Sequence, residues 1–266
     1  MCWSIWWSGF VAACLTLGAF AAAQEAAPPD KRLMVILKLD DVTTNGASGK
    51  RAIAPRWQKV AEFVEREGIK ANFGIIGWSL EEDKPAYHDW IKTWHGKGVI
   101  EFWNHGYKNR KTSSEPDEFA GSLDEQAAAL RATQRLAKER LGLTLTAFGP
   151  HWSGTNAQTP QALAQVPEIK VWFGSSSDQP GPGLKVLITD RLERPTFIPN
   201  YDHVVRIHDR IAKGGRGYMV LQGHPNKWDD ARWDDFTKII AFLKEKECRF
   251  VTISEFLEST DAQKQN

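Results

Sequence analysis

Leu33 to Asp41 reads LMVILKLDD. A near-continuous apolar run of this length predicts a strand covered on both faces, the pattern of a parallel sheet flanked by helices. The strand stops at two adjacent carboxylates, Asp40 and Asp41. Working outward, strand-like and helix-like segments alternate. Trp57–Arg66 has helical spacing and Lys70–Ile76 reads as a strand. Tyr87–Gly96 is helical and Val99–Trp103 a strand. The Ala- and Arg-rich Leu123–Leu141 is a long helix. Further strands are expected at Leu143–Phe148, Ile169–Phe173, Lys185–Thr189, Tyr218–Gln222 and Phe250–Ile253. Helices are expected at Val204–Ala212, Asp230–Lys246 and from Ser254 to Leu257. Repeated β-then-α units argue for an α/β protein with a parallel sheet, open or closed into a barrel.

The N-terminal stretch differs. Met1–Ala23 carries no charged side chain. Its apolar run, Phe10–Ala22, is shorter than the roughly 20 residues a bilayer span needs, and Ala21-Ala22-Ala23 supplies a small-residue cleavage pattern. A signal peptide over 1–23 is expected, then an Ala/Pro linker over 24–31 and one catalytic domain over 32–260. Export to the periplasm or the extracellular space follows. Val11-Ala12-Ala13-Cys14 resembles a lipoprotein box and ranks second. Cys2 and Cys14 lie in the leader, so only Cys248 of the three cysteines remains, and a disulfide scaffold is excluded. The net charge of +1 gives no electrostatic case for nucleic acid or an anionic membrane. The mature chain has no further stretch able to span a bilayer.

Functional groups of barrels and open parallel sheets gather beyond the carboxyl ends of strands. Asp40-Asp41 follow the first strand. Glu101, Asn104, His105 and Asn109 belong to EFWNHGYKN; Pro150, His151 and Trp152 to FGPHWSGTN; Gln222 and His224 to VLQGHPNKW. A lone histidine is more often a surface or core residue, and an Asp pair after a strand is often only a turn or cap. Three histidines and an Asp pair at one sheet edge make a stronger case. If one carboxylate binds a divalent cation, that cation holds it ionised and lowers the pKa of bound water. The other can then accept the water's proton. A neutral imidazole such as His105 suits zinc, cobalt or nickel, and His224 could protonate a leaving group.

These segments resemble the polysaccharide deacetylases, also called NodB-like carbohydrate esterases. The resemblance spans roughly Leu33 to Leu257. It rests on Leu37-Lys38-Leu39-Asp40-Asp41, on Glu101-Phe102-Trp103-Asn104-His105, loosely on Gly149-Pro150-His151-Trp152-Ser153, and on Leu221-Gln222-Gly223-His224, in the family's order and spacing. It implies a distorted (β/α) barrel and metal-dependent removal of N- or O-acetyl groups from a glycan. Asp40 would be the base and His224 the general acid. Asp41 and His105 would be metal ligands, with Asn109 or His151 the third. The metal would be zinc, with cobalt or nickel as alternatives. Pro150, His151, Trp152 and Trp103 would contact substrate. The departures are Asn109 where the family places a second histidine, Gly149 where it places an arginine, and no family-type acidic-Trp motif, for which Asp178 is a weak stand-in.

Trp78, Trp103, Trp152, Trp172 and Trp228 all fall near expected strand ends, where indoles can stack on sugar rings; ordinary core packing accounts for Trp172. Two readings compete with an exported glycan deacetylase: a catalytically silent carbohydrate-binding protein on the same fold, and another amide or ester hydrolase. Retained Asp40 and His224 favour an enzyme, because binding alone needs no acid–base pair.

Overall fold

The computed structural model describes residues 31–262 except 111 and 113, together with residues 1 and 3. The expected signal peptide and linker therefore lie outside the described residues, apart from these two. Eight strands build the sheet: β1 (Met34–Val42), β2 (Ala71–Ile75), β3 (Ile100–Asn104), β4 (Ala147–Phe148), β5 (Val171–Gly174), β6 (Lys185–Arg191), β7 (Tyr218–Gly223) and β8 (Arg249–Phe250). All pairings between them are parallel. Strands β1 to β7 pair in sequence order, and β7 returns to β1, so the sheet closes into a barrel. The helices are α1 (Pro55–Arg66), α2 (Pro85–Gly96), α3 (Leu123–Leu136), α4 (Thr159–Ala164), α5 (Tyr201–Gly214), α6 (Asp230–Glu245) and α7 (Ile253–Ala262). Among the described residues, no helix is long and apolar enough to cross a membrane.

Closure is imperfect where β1 begins. There β8 pairs with Met34 and Val35, while β2 joins β1 only from Lys38 onward. The buried Asn72 closes this seam. Its amide donates to the Val251 carbonyl at 3.1 Å and accepts from the Ile253 N–H at 2.9 Å, replacing a ladder that diverging strands cannot form. Glu101 lies at the amino end of β3, away from the site. It accepts from Thr146 Oγ1 (2.9 Å) and from the Ser254 N–H at the start of α7 (2.8 Å).

Alternation along β1 divides the core into two layers. Val35, Leu37 and Leu39 face the helices and pack with Trp57, Val60 and Phe236. Met34 and Ile36 face the barrel interior with Trp103, Phe173 and Val220. Helix α1 has Pro at its first turn and buries Trp57, Val60, Ala61 and Val64, one helical stripe. Helix α3 opens with the Ser122–Glu125 capping box. It ends in a π-turn over Ala137–Leu141, so the single long helix expected there is two segments. β4 is shorter than expected: the Leu145 carbonyl accepts from Gln134 Nε2, and the Thr146 carbonyl, just before β4, accepts from the N–H groups of Lys170 and Val171.

Candidate metal and acid–base site

The carboxyl ends of β1, β3, β4 and β7 open into one cavity of about 610 Å³, lined among others by Asp40, Asp41, His105, His151 and His224. Asp40 continues the inward face of β1. Asp41 should point away, but its φ of +76° turns its carboxylate into the cavity as well. A left-handed aspartate is strained, and such strain collects at functional sites.

His105 follows β3 and is buried. Its Nδ1 lies 2.7 Å from the Gly149 carbonyl. A carbonyl only accepts, so Nδ1 carries the proton. Nε2 then faces Asp41 Oδ1 at 3.4 Å and Asp40 Oδ2 at 3.8 Å. A lone pair set against two carboxylates requires a positive charge between them, a proton or a metal cation. His151 stacks on His105 with ring centroids 4.1 Å apart. It is buried, and neither ring nitrogen has a protein partner. Burial and the charge of His105 push its pKa well below the usual imidazole range, leaving a neutral ring. Ligand atoms of Asp41, His105 and His151 all lie within 4.8 Å of one another. One carboxylate and two imidazoles, one orphaned and one fixed by a second hydrogen bond, are a donor set that fits zinc or a similar divalent ion. Burial opposes ionisation of Asp41, but the hydrogen bond and charge of His105, with the charge of His224, overcome it and hold Asp41 below the usual carboxylate range.

Asn109 stands apart from this cluster: its Oδ1 accepts the Trp152 indole N–H at 2.8 Å. Of the two candidates for third ligand, His151 is the one whose nitrogens are free. Asn109 and Trp152 instead form a cavity wall, with the Arg110 guanidinium 4.4 Å from the Trp152 ring. Trp152 remains 57% exposed and offers a face to a ligand.

On the other side, His224 follows β7. Its Nε2 is 3.8 Å from Asp40 Oδ2, and its Nδ1 is 2.7 Å from Glu193 Oε2. Burial alone would lower its pKa; the Glu193 hydrogen bond and the charges of Asp40, Glu193 and Asp41 outweigh burial and raise it. Glu193 is itself buried and accepts from the His224 N–H (2.6 Å), the Phe197 N–H (2.9 Å) and Trp228 Nε1 (2.7 Å). Burial opposes ionisation of Asp40 too, but Lys38, His105 and His224 hold it below the carboxylate range.

Several expectations need correction. Trp103 is fully buried, packed against His105, Phe173 and the Lys38 ammonium. It supports the floor of the site, and a substrate cannot reach it. Trp228 is buried under His224 as a donor to Glu193. Pro150 faces a neighbouring cavity. Asp178 accepts from Ser175 in its own loop, so it does not pair with His224. The acid that does is Glu193, which the sequence reading missed. The strand-end rule could have found it, because Glu193 lies two residues beyond β6.

No family model matches the sequence, and no curated protein matches it. Solved structures match its fold. A Mycobacterium smegmatis protein described as a candidate polysaccharide deacetylase is 17% identical, with a TM-score of 0.66, over 90% of this chain and 94% of that one. A family 4 acetyl xylan esterase from Clostridium thermocellum, in complex with a cobalt ion, is 17% identical with a TM-score of 0.55, over 84% and 89% of the two chains. A CE4 family pseudoenzyme from Bacillus anthracis is 16% identical with a TM-score of 0.55, over 84% and 65%. The barrel is thus of the polysaccharide deacetylase type.

Proposed function

We propose that this chain is an exported, metal-dependent deacetylase that removes N- or O-acetyl groups from a polysaccharide or oligosaccharide. The observation that carries the reading is the convergence of two differently equipped groups on one cavity: a ligand set of Asp41, His105 and His151, and an acid–base set of Asp40 and His224. Export rests on the leader composition of Met1–Ala23.

A divalent cation held by Asp41, His105 and His151, with zinc as first choice, would supply Lewis acidity for the attacked acetyl carbonyl. The chain's own groups handle the protons. Asp40, kept ionised, accepts the proton of the attacking water. His224 delivers a proton to the departing nitrogen or oxygen, and Glu193 keeps its ring in the Nδ1–H tautomer with Nε2 toward the site. Asn109 and Trp152 wall the cavity on the metal side and present an aromatic face to a sugar ring.

A catalytically silent glycan-binding protein is the second reading, favoured by the fold shared with a described pseudoenzyme. The pairing of half-buried His224 with buried Glu193 argues against it, since a carboxylate held on the far nitrogen of an imidazole serves proton transfer and adds nothing to sugar stacking. The deciding measurement is acetate release from a panel of N- and O-acetylated glycans, with zinc, cobalt or nickel supplied. Release that chelation stops supports the deacetylase. Glycan binding with no release under any metal rejects it in favour of the binding protein.

A further inference from the structure

Lys38 sits inside the barrel, 2% exposed, on the same inward face of β1 as Asp40 and one layer below it. A lysine in that layer is costly: an ammonium loses its hydration, and burial drives its pKa down even with carboxylates nearby. As a stabiliser, a buried ion pair is often no better than an apolar residue of the same size. The energetics of folding therefore do not explain why this position is charged.

Its contacts do. The Lys38 ammonium donates to both oxygens of Asp40, at 2.6 Å to Oδ1 and 2.7 Å to Oδ2. The other hydrogen bond to this carboxylate comes from Gln222 Nε2 to Oδ2, at 2.8 Å. Among the described residues Oδ1 has Lys38 alone as donor. The ammonium lies 4.6 Å from the Trp103 ring and 5.6 Å from the Phe173 ring, which wall the stem. Gly149 leaves the stem its path. A Cβ there would fall 3.2 Å from Lys38 Cε and 3.0 Å from Trp103, closer than the neighbours could absorb without shifting. A second cavity, of about 350 Å³, reaches Lys38 from the side of Phe173, Thr189 and Gln222.

We propose that Lys38 is a positioning residue for the proton-accepting step: its two-point grip fixes the plane of the Asp40 carboxylate, so that Oδ2 is presented between Nε2 of His105 and Nε2 of His224. Gly149 is the permissive half of this device. The proposal rests on the deacetylase reading for its kinetic consequence but not for its geometry. With Lys38 removed, Asp40 keeps one donor on one oxygen and swings toward the imidazoles. A misplaced base costs turnover without loosening substrate or metal.

The test uses the full zinc-loaded protein with Lys38→Met and Lys38→Ala. In a crystal structure of Lys38→Met the Asp40 carboxylate is expected to rotate out of its present plane. Zinc content and KM stay as in the wild type, and kcat for acetate release falls roughly 100-fold. In Lys38→Ala, methylammonium or ethylammonium entering by the second cavity restores at least about tenfold of the lost kcat, whereas sodium chloride at the same ionic strength restores none. Should Lys38→Met fail to fold, Lys38→Gln, which keeps an amide NH2 donor on a shorter stem and loses the charge, replaces it with an expected kcat loss of at least about tenfold. An unmoved Asp40 with kcat within about twofold of wild type overturns the proposal, as does a loss of zinc that accounts for the whole effect. If the wild type itself releases no acetate, the deacetylase reading fails on its own, and the orientation of Asp40 in the Lys38→Met crystal still decides the role of Lys38.

Discussion

His105 and His224 flank one carboxylate at one distance, 3.8 Å from Nε2 to Asp40 Oδ2, yet they are equipped for different work. Behind His105 stands a backbone carbonyl, that of Gly149; behind His224 stands a buried carboxylate, Glu193. Both partners fix the Nδ1–H tautomer, but only the carboxylate also favours a charged ring. Beyond His105 lie Asp41 and the neutral, unpartnered His151, a set of lone pairs converging on one point. Beyond His224 the edge of Phe197 packs on the imidazole, with centroids 5.0 Å apart, and helps hold the pair away from water. The role of a histidine here is set by what its second nitrogen touches.

The sharpest way to break this contrast is to remove the His105 side. His105→Ala and, separately, His151→Ala should lose bound zinc and bring acetate release to background, which metal analysis of the purified variants checks beside the assay. Full metal occupancy in His151→Ala would move the third-ligand role back to Asn109. The next effect belongs to the other side. His224→Ala should keep its zinc and lose about 10²- to 10⁴-fold in kcat on an N-acetyl substrate. The loss should be smaller on an O-acetyl substrate, because an alkoxide leaves more readily than a nitrogen anion.

Replacing Glu193 by Gln tests the contrast itself, because it makes the His224 side more like the His105 side. The folded pKa of His224 is raised, chiefly by Glu193 acting against burial. The stability that pair contributes is therefore fully present below the unfolded value of about 6.5, and it is lost as pH rises through the folded value. The general acid is also lost along that alkaline limb. Glu193→Gln should move the limb of the kcat profile to lower pH and reduce the acid-side stability advantage, as pH-dependent thermal melts would show. Glu193→Ala should cost more, about 1–3 kcal/mol for each buried donor left unpaired, Trp228 Nε1 among them. The smallest effects are expected at the rim. Asn109→Ala and Trp152→Ala should leave zinc content unchanged and stability within about 0.5 kcal/mol, while raising KM several-fold. A loss of zinc in Asn109→Ala would show that the amide coordinates after all.

The apolar run before Asp40-Asp41 and the repeating β/α units determined an α/β class with a parallel sheet, because burial on both faces of a strand writes itself into composition; closure into a barrel was implied only by the family resemblance. The strand-end rule likewise brought Asp40, Asp41, His105, His151 and His224 to one edge, since parallel topology leaves them nowhere else to meet. Local sequence could not decide which groups touch. Glu193 and His224 are partners across two strands, and Lys38 looked like one polar residue in an apolar strand until its stem proved to run past Gly149 to Asp40. Trp103 and Trp152 both stood beside strand ends, and only packing buried one beneath the site and left the other open to a ligand. The proposal of His151 over Asn109 as third ligand rests on the same kind of packing, in which an indole takes the amide oxygen while both imidazole nitrogens stay unclaimed. Composition and period report which face of an element is buried, whereas hydrogen-bond partners are set by distances between elements far apart in the chain, and those exist only once the barrel has closed.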